Sequence, residues 1–163
     1  MKGRFLKKIS KNLARQITVT ILVTVMALNT QFSIAVHLLV GLGCVAGGTT
    51  SSGHLAQSVN TSASFVRRTL AKLSKAGLVD TTTGKSGACG LAKKPERISL
   101  LEVYRAVDAP KAFAIHAYEP HKVCAVSCNI KAALEDVLAK TQQGMEASLG
   151  KITLADVIAN VRR

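Results

Sequence analysis

Two stripes of apolar residues at helical spacing, with a glycine-rich stretch of strand-forming sequence between them, predict a mainly α fold with a small β-hairpin. A third observation is where the charge lies. The 163 residues carry 22 Lys+Arg against 9 Asp+Glu, a formal net charge of +13. Residues 50–107 hold nine of those bases and three acids, residues 26–49 hold no charge, and residues 108–163 are nearly balanced. A basic module inside an otherwise balanced chain implies an anionic partner, either nucleic acid or a membrane surface. With 48% hydrophobic residues the chain can bury a core, and its composition is not that of a disordered polypeptide.

Each element follows from local sequence. Phe32, Ala35, Val36, Leu39, Val40 and Leu42 recur at helical intervals and predict a buried helix over residues 31–42, ended by Gly43 and Gly47-Gly48. Thr50, Ser51 and Ser52 offer N-caps to a second, short helix containing His54, Leu55, Ala56, Ser58 and Val59. Asn60-Thr61-Ser62 makes a tight turn, and Thr61 or Ser62 caps a third helix to about Ala76. Val66, Leu70 and Leu73 form its buried stripe, and Gly77 stops it. A strand over residues 78–82, the turn Gly84-Lys85-Ser86-Gly87 and a return strand over residues 88–92 form the hairpin. Beyond Lys93-Lys94-Pro95, Ser99 and Glu102 make a capping box for a helix through Val107, which Asp108-Ala109-Pro110 breaks. Residues 111–123 read as a loop. A long helix over residues 127–149 carries the stripe Ile130, Leu134, Val137, Leu138, Thr141, Met145 and Leu149, flawed only by Gly144. Thr153 and Asp156 cap a final short helix.

Helix, short helix, turn, longer helix and hairpin is the order of a winged helix-turn-helix, here followed by a long C-terminal dimerisation helix. The third helix opposes its buried stripe with an open face of Ser62, Ser64, Arg67, Arg68 and Lys72, with Phe65 beside them. A helix presented this way suits the major groove. An Arg there can bind guanine O6 and N7 together, whereas Thr61, Ser62 and Lys72 suit phosphates, which fix register. Lys85 and Ser86 at the hairpin tip place a cation for the minor groove or its backbone. A run of charge is more often a solvated face, but the adjoining turn and hairpin favour double-stranded DNA as the partner of this one.

The N-terminus stands apart. Residues 1–16 are basic and residues 17–28 are an apolar run, the order in which a secretory signal begins. The run is shorter than the ~20 apolar residues that span a bilayer. Three readings are open: a signal or anchor, an extension that packs or frays, or a start placed upstream of a working start at Met26. We favour the last, because from Met26 the chain reads as an ordinary amphipathic first helix. The organisation expected is an N-terminal extension (1–25), a DNA-binding module (26–107), a sensor-like loop (108–126) and dimerisation helices (127–163).

The stretch SSGHLAQSVNTSASFVRRTLAKLSKAGLV, followed by GKSGACGLAKKPERISLLEVYRAVD, resembles the family of the iron–sulfur regulator IscR, the nitrite-sensing NsrR and the cysteine-metabolism repressor CymR. The similarity runs from about Met26 to Ile158. Its strongest pieces are Leu55-Ala56, Ala76-Gly77-Leu78-Val79, the Gly84/Gly87 wing, Leu91-Ala92 and Ile98-Ser99-Leu100. The resemblance implies a homodimer on a palindromic operator, held by a long helix that residues 127–149 match, and repression as the commoner outcome; the few cysteines separately suggest a reducing, cytoplasmic setting. The wing departs from the family pattern: where many relatives read Gly-Gly-aromatic, this chain has Gly87-Ala88-Cys89.

Cluster-bearing relatives place three cysteines in the loop before the long helix, and this chain has only Cys124 and Cys128 there. An iron–sulfur cluster is therefore not expected, and the resemblance is to a cluster-free branch with no cofactor. Zinc could be offered His116, His121, Cys124 and Cys128, but their spacing fits no strong template, and a polar loop is the plainer reading. Thiol redox sensing is the other chemistry open to Cys124 and Cys128, because a helix N-terminus favours thiolate. Were both helical, their i, i+4 spacing would disfavour an internal disulfide, so a bridge to the other subunit is the expected oxidised product. Cys44 and Cys89 read as inert core and strand residues, and four cysteines at these spacings suggest no disulfide framework. No Ser/His/Asp order, phosphate loop or carboxylate pair points to an enzyme. Two rivals remain: a membrane-associated protein using its N-terminal 45 residues, and a regulator controlled by a protein partner on its long helix.

Overall fold

The computed structural model describes residues 30–45, 48–81 and 88–162. The N-terminal extension and the hairpin tip with Lys85 and Ser86 lie outside the described residues. Residues 30–44 are helical and are designated α1. There follow β1 (Thr49–Ser51), α2 (Ser52–Val59), α3 (Ala63–Lys75), β2 (Val79–Thr81), β3 (Ala88–Leu91), a 3-10 turn (Pro95–Arg97), α4 (Leu100–Ala106), α5 (Ala125–Lys151) and α6 (Leu154–Val161).

One core joins most of these elements. Leu38, Leu39 and Leu42 of α1, Leu55 of α2 and Val66, Leu70 and Leu73 of α3 are buried together. Leu78 and Val79 at the start of the hairpin, Ile98, and Val103 and Val107 around α4 complete it. The apolar periodicity places the third helix well, since its predicted stripe is the buried face. In the first helix the pattern extends further than expected. α1 continues through Gly43 to residue 44, and the glycine there leaves room for α6: a Cβ would lie 2.6 Å from Cδ1 of Ile158.

The sheet has three antiparallel strands in the order β1-β3-β2, not two. Thr49-Thr50-Ser51 is too short and too polar to show an alternating pattern, and it is strand only because β3 offers it a free edge. Thr50 pairs with Cys89, which on its other side faces Thr81. Gly90 is obligatory in the central strand, since a Cβ would meet the Gly48 carbonyl oxygen at 2.8 Å. Cys89 is buried as expected, and burial pushes its thiol pKa up. Cys44, expected in the core, is exposed, because it falls on the solvent side of the last turn of α1.

The long helix begins two residues earlier than the periodicity suggests, at Ala125, with Cys124 as its N-cap. None of its 27 residues is buried. By contrast α6, which the sequence groups with the dimerisation helices, returns to the winged-helix core, where Leu154 and Ile158 are buried. Two backbone bonds tie it back, Leu154 N–H to Ile98 O (2.8 Å) and Leu100 N–H to Ile152 O (2.9 Å). Among the described residues no helix is long and apolar enough to cross a membrane. The apolar run of residues 17–28 lies outside them.

Candidate nucleic-acid interface

The turn between α2 and α3 is fixed by side chains the sequence supplies for that purpose. Ser51 caps α2 by accepting from His54 N–H (3.2 Å). Asn60 adopts the left-handed conformation, φ 53° and ψ 51°, which Asn tolerates better than most residues. There the amides of Asn60 and Thr61 reach Gln57 O and Ala56 O, both at 3.1 Å. Ser62 starts α3, its hydroxyl accepting from Phe65 N–H at 3.2 Å. At the far end Gly77 (φ 69°) lets its own N–H reach Ser74 O and that of Leu78 reach Leu73 O. The helix is thus clamped at both ends and along its buried face.

On the opposite side Ser64, Arg67, Arg68, Ala71 and Lys75 are exposed. At about 100° per residue these five fall on one side of α3, with the small Ala71 in the middle. The guanidinium of Arg68 lies over the Phe65 ring, 5.9 Å from its centroid, which holds that side chain against the helix. Among the described residues Arg67, Arg68 and Lys75 have no ion-pair partner. No acid interrupts the helix, so its field toward solvent is positive along its length.

The structure brings most of the expected residues to this surface. Ser64, Arg67 and Arg68 are exposed on the open face, Phe65 is half-buried at its edge, and Thr61 is half-buried in the turn. Ser62 is exposed, but its hydroxyl already serves as the cap and contacts Ser64 Oγ at 3.2 Å. Lys72 is the correction. Its ammonium turns away from the open face, donating to Val107 O (3.1 Å) and pairing with Asp108 (3.2 Å). Lys75 was missed, although it continues the i, i+4, i+7, i+11 line from Ser64 through Arg68 and Ala71. That spacing was available to find it.

The four residues considered for zinc are not gathered into a site. His116 stacks on Tyr118, 4.9 Å between centroids. His121 contributes its backbone instead of its ring: its N–H donates to Ser127 Oγ (2.8 Å) and its carbonyl accepts from Cys124 N–H (2.9 Å) and from the Cys128 thiol (3.6 Å). Among the described residues no three His, Cys, Asp or Glu side chains converge to hold a metal. Cys124 and Cys128 are both exposed and unbridged, and Cys124 Sγ accepts from Ser127 N–H at 3.5 Å.

Comparison with known proteins agrees with this geometry. The Rrf2 family, described as an iron-dependent transcriptional regulator, matches residues 28–160. YwnA of Bacillus subtilis (strain 168), assigned as an HTH-type transcriptional regulator, is 38% identical over 132 residues, covering 80% of this chain and 96% of its own. A crystal structure described as a DNA-binding protein is 36% identical, with a TM-score of 0.62, over 78% of this chain and 98% of that one. Two further structures share the fold. They are IscR of T. potens (22% identity, TM-score 0.60, 81% of this chain and 85% of that one) and CymR of B. subtilis (20%, 0.59, 80% and 95%). With the winged-helix architecture, the clamped third helix and a match over nearly all the described residues, the chain belongs to the Rrf2 family of transcriptional regulators.

Proposed function

We propose that this regulator is a homodimeric repressor that reads a palindromic operator in double-stranded DNA, with DNA affinity set by the thiols of Cys124 and Cys128. The observation that carries the DNA reading is the open face of α3. One hydroxyl, that of Ser64, and three cations that lack ion-pair partners among the described residues stand opposite Val66, Leu70 and Leu73. Arg67 and Arg68, near the N-terminal half of the helix, are placed for base edges, while Lys75 suits a phosphate. Thr61 and Ser62 at the helix entry, with Lys85 and Ser86 of the wing, supply the flanking backbone contacts.

Dimerisation rests on α5. Its predicted stripe is covered only in part: Leu134, Leu138, Met145 and Leu149 are half-buried, and Val137 is 55% exposed. An apolar stripe of this length is satisfied by the same stripe of a second copy about a two-fold axis. Two recognition helices related by that axis would meet successive major grooves about 34 Å apart, which calls for a palindrome.

In this reading the sensing element is the thiol pair and not a bound metal or cluster. Oxidation by a peroxide removes one electron and one proton from one thiol of each of the two subunits, two of each in all. A disulfide forms between subunits, and hydrogen peroxide is reduced to two waters. Footprinting of the purified protein across its own upstream region, with and without hydrogen peroxide, tests the whole proposal. Protection of a palindrome, lost on oxidation, is the expected result. Protection indifferent to peroxide removes the thiol switch and leaves the DNA reading in place. Equal affinity for every duplex and for anionic vesicles overturns the operator reading in favour of a membrane surface.

A further inference from the structure

We infer that Lys72 is a positioning residue that locks the recognition helix to the carboxyl end of α4, and through it to α5. The DNA part of this inference rests on the function proposed above. α4 ends in a closed turn: Asp108 N–H donates to Arg105 O (3.1 Å) and Ala109 N–H to Tyr104 O (3.2 Å), with Asp108 itself at φ 51°. Those bonds leave the Val107 carbonyl needing a donor from outside the helix. Lys72 of α3 supplies it at 3.1 Å, and its charge pairs with Asp108 at 3.2 Å. A cation at this position also meets the negative end of the α4 dipole. To reach a phosphate, Lys72 would have to give up both contacts.

The same turn is gripped from α5. Tyr104 hydroxyl donates to Pro110 O at 2.6 Å, and Gln142 Nε2 donates to that hydroxyl at 3.0 Å. Gln142 Oε1 accepts from Ala112 N–H at 3.1 Å, so one α5 side chain holds both α4 and the segment leaving it. A neighbouring pair, Arg105 to Glu146 at 3.0 Å, reinforces the grip. An unbroken series of polar contacts therefore runs from α5 through the last turn of α4 to α3. Lys72 is its final link. Its function is to set the roll of α3 about its own axis, which decides where Arg67 and Arg68 point.

The test uses the full-length protein and the variants Lys72→Met, Gln142→Ala and the two combined. Lys72→Met keeps most of the apolar stem and removes the ammonium. Affinity for a duplex from the protein's own upstream region is read by fluorescence anisotropy as a function of salt. Exchange of the amides of residues 63–75 is read by mass spectrometry. The expected result is about a tenfold loss of affinity for Lys72→Met with no change in salt slope, since no phosphate contact is removed. Gln142→Ala is expected to lose affinity alone but not in the Lys72→Met background, and both variants should speed exchange in α3. A salt slope smaller by about one for Lys72→Met, with Gln142→Ala silent, would make Lys72 a phosphate contact and overturn the inference. Should no duplex bind, the proposed function fails, and exchange still decides this point: unaltered α3 protection in Gln142→Ala overturns the coupling. If Lys72→Met does not fold, Asp108→Asn, which keeps a residue tolerant of positive φ and removes the charge, is expected to shift both readouts in the same direction.

Discussion

Arg67 and Arg68 sit side by side on α3, yet their surroundings differ. Arg68 is laid over Phe65, while Arg67 has no such partner among the described residues. Replacing Arg67 with alanine should cost about 1–3 kcal/mol of operator affinity and relax the preference for one base pair, measured by binding to operators substituted one position at a time. Lys75→Ala should instead weaken all duplexes alike and reduce the salt slope by about one. Glu102 makes a residue-scale prediction of another kind. The backbone hydrogen bond from Ser99 holds its carboxyl below the ordinary glutamate range; partial burial opposes this, and Lys93 adds to it. A carboxyl depressed in the folded state stabilises fully above its unfolded pKa, and that stabilisation is lost as pH falls through the folded value. Glu102→Gln should therefore lower the urea midpoint at pH 7, and the difference from wild type should shrink below about pH 4. A difference that grows on acidification would contradict the assignment.

Among the elements, those with internal periodicity were legible in the sequence and those held by their neighbours were not. The stripe of α3, the capping boxes at Ser99 and Thr153 and the stop at Gly77 are local chemistry, and all are present. β1 exists only because β3 has an edge to pair, and Gly43 reads as a stop only until α6 is known to lie against it. The open face of α3 could be read from helical spacing. The turning of Lys72 could not, because its partners Val107 and Asp108 lie 35 and 36 positions away and owe their location to the packing of α4. The turn into α3 carries its own prediction. Asn60→Val puts a β-branched residue at φ 53° and should cost about 1–2 kcal/mol of stability in urea unfolding. Asn60→Gly should be close to neutral.

For the whole molecule, the partly covered stripe of α5 and the returning α6 have opposite consequences. On the proposed dimer, Leu138→Asp should leave the winged-helix core folded while giving a monomer by analytical ultracentrifugation where the wild type sediments as a dimer, with a large loss of operator affinity. A dimer that survives this change would refute α5 as the interface. Leu154→Ala, at a fully buried site, should cost about 2–5 kcal/mol of stability. The route of the chain also bears on how the protein is made. The core around α3 uses Leu154 and Ile158, which follow α5 in the chain, so a nascent chain that has just completed its wing still lacks part of its own foundation. Domains formed early in synthesis are normally competent before the ribosome finishes. Here the reading head would reach full solidity only after α5 has emerged. A chain cut short by a premature stop within α5 would then lack the support that α6 gives to the core beneath α3, and on the function proposed above would compete poorly with intact copies for DNA.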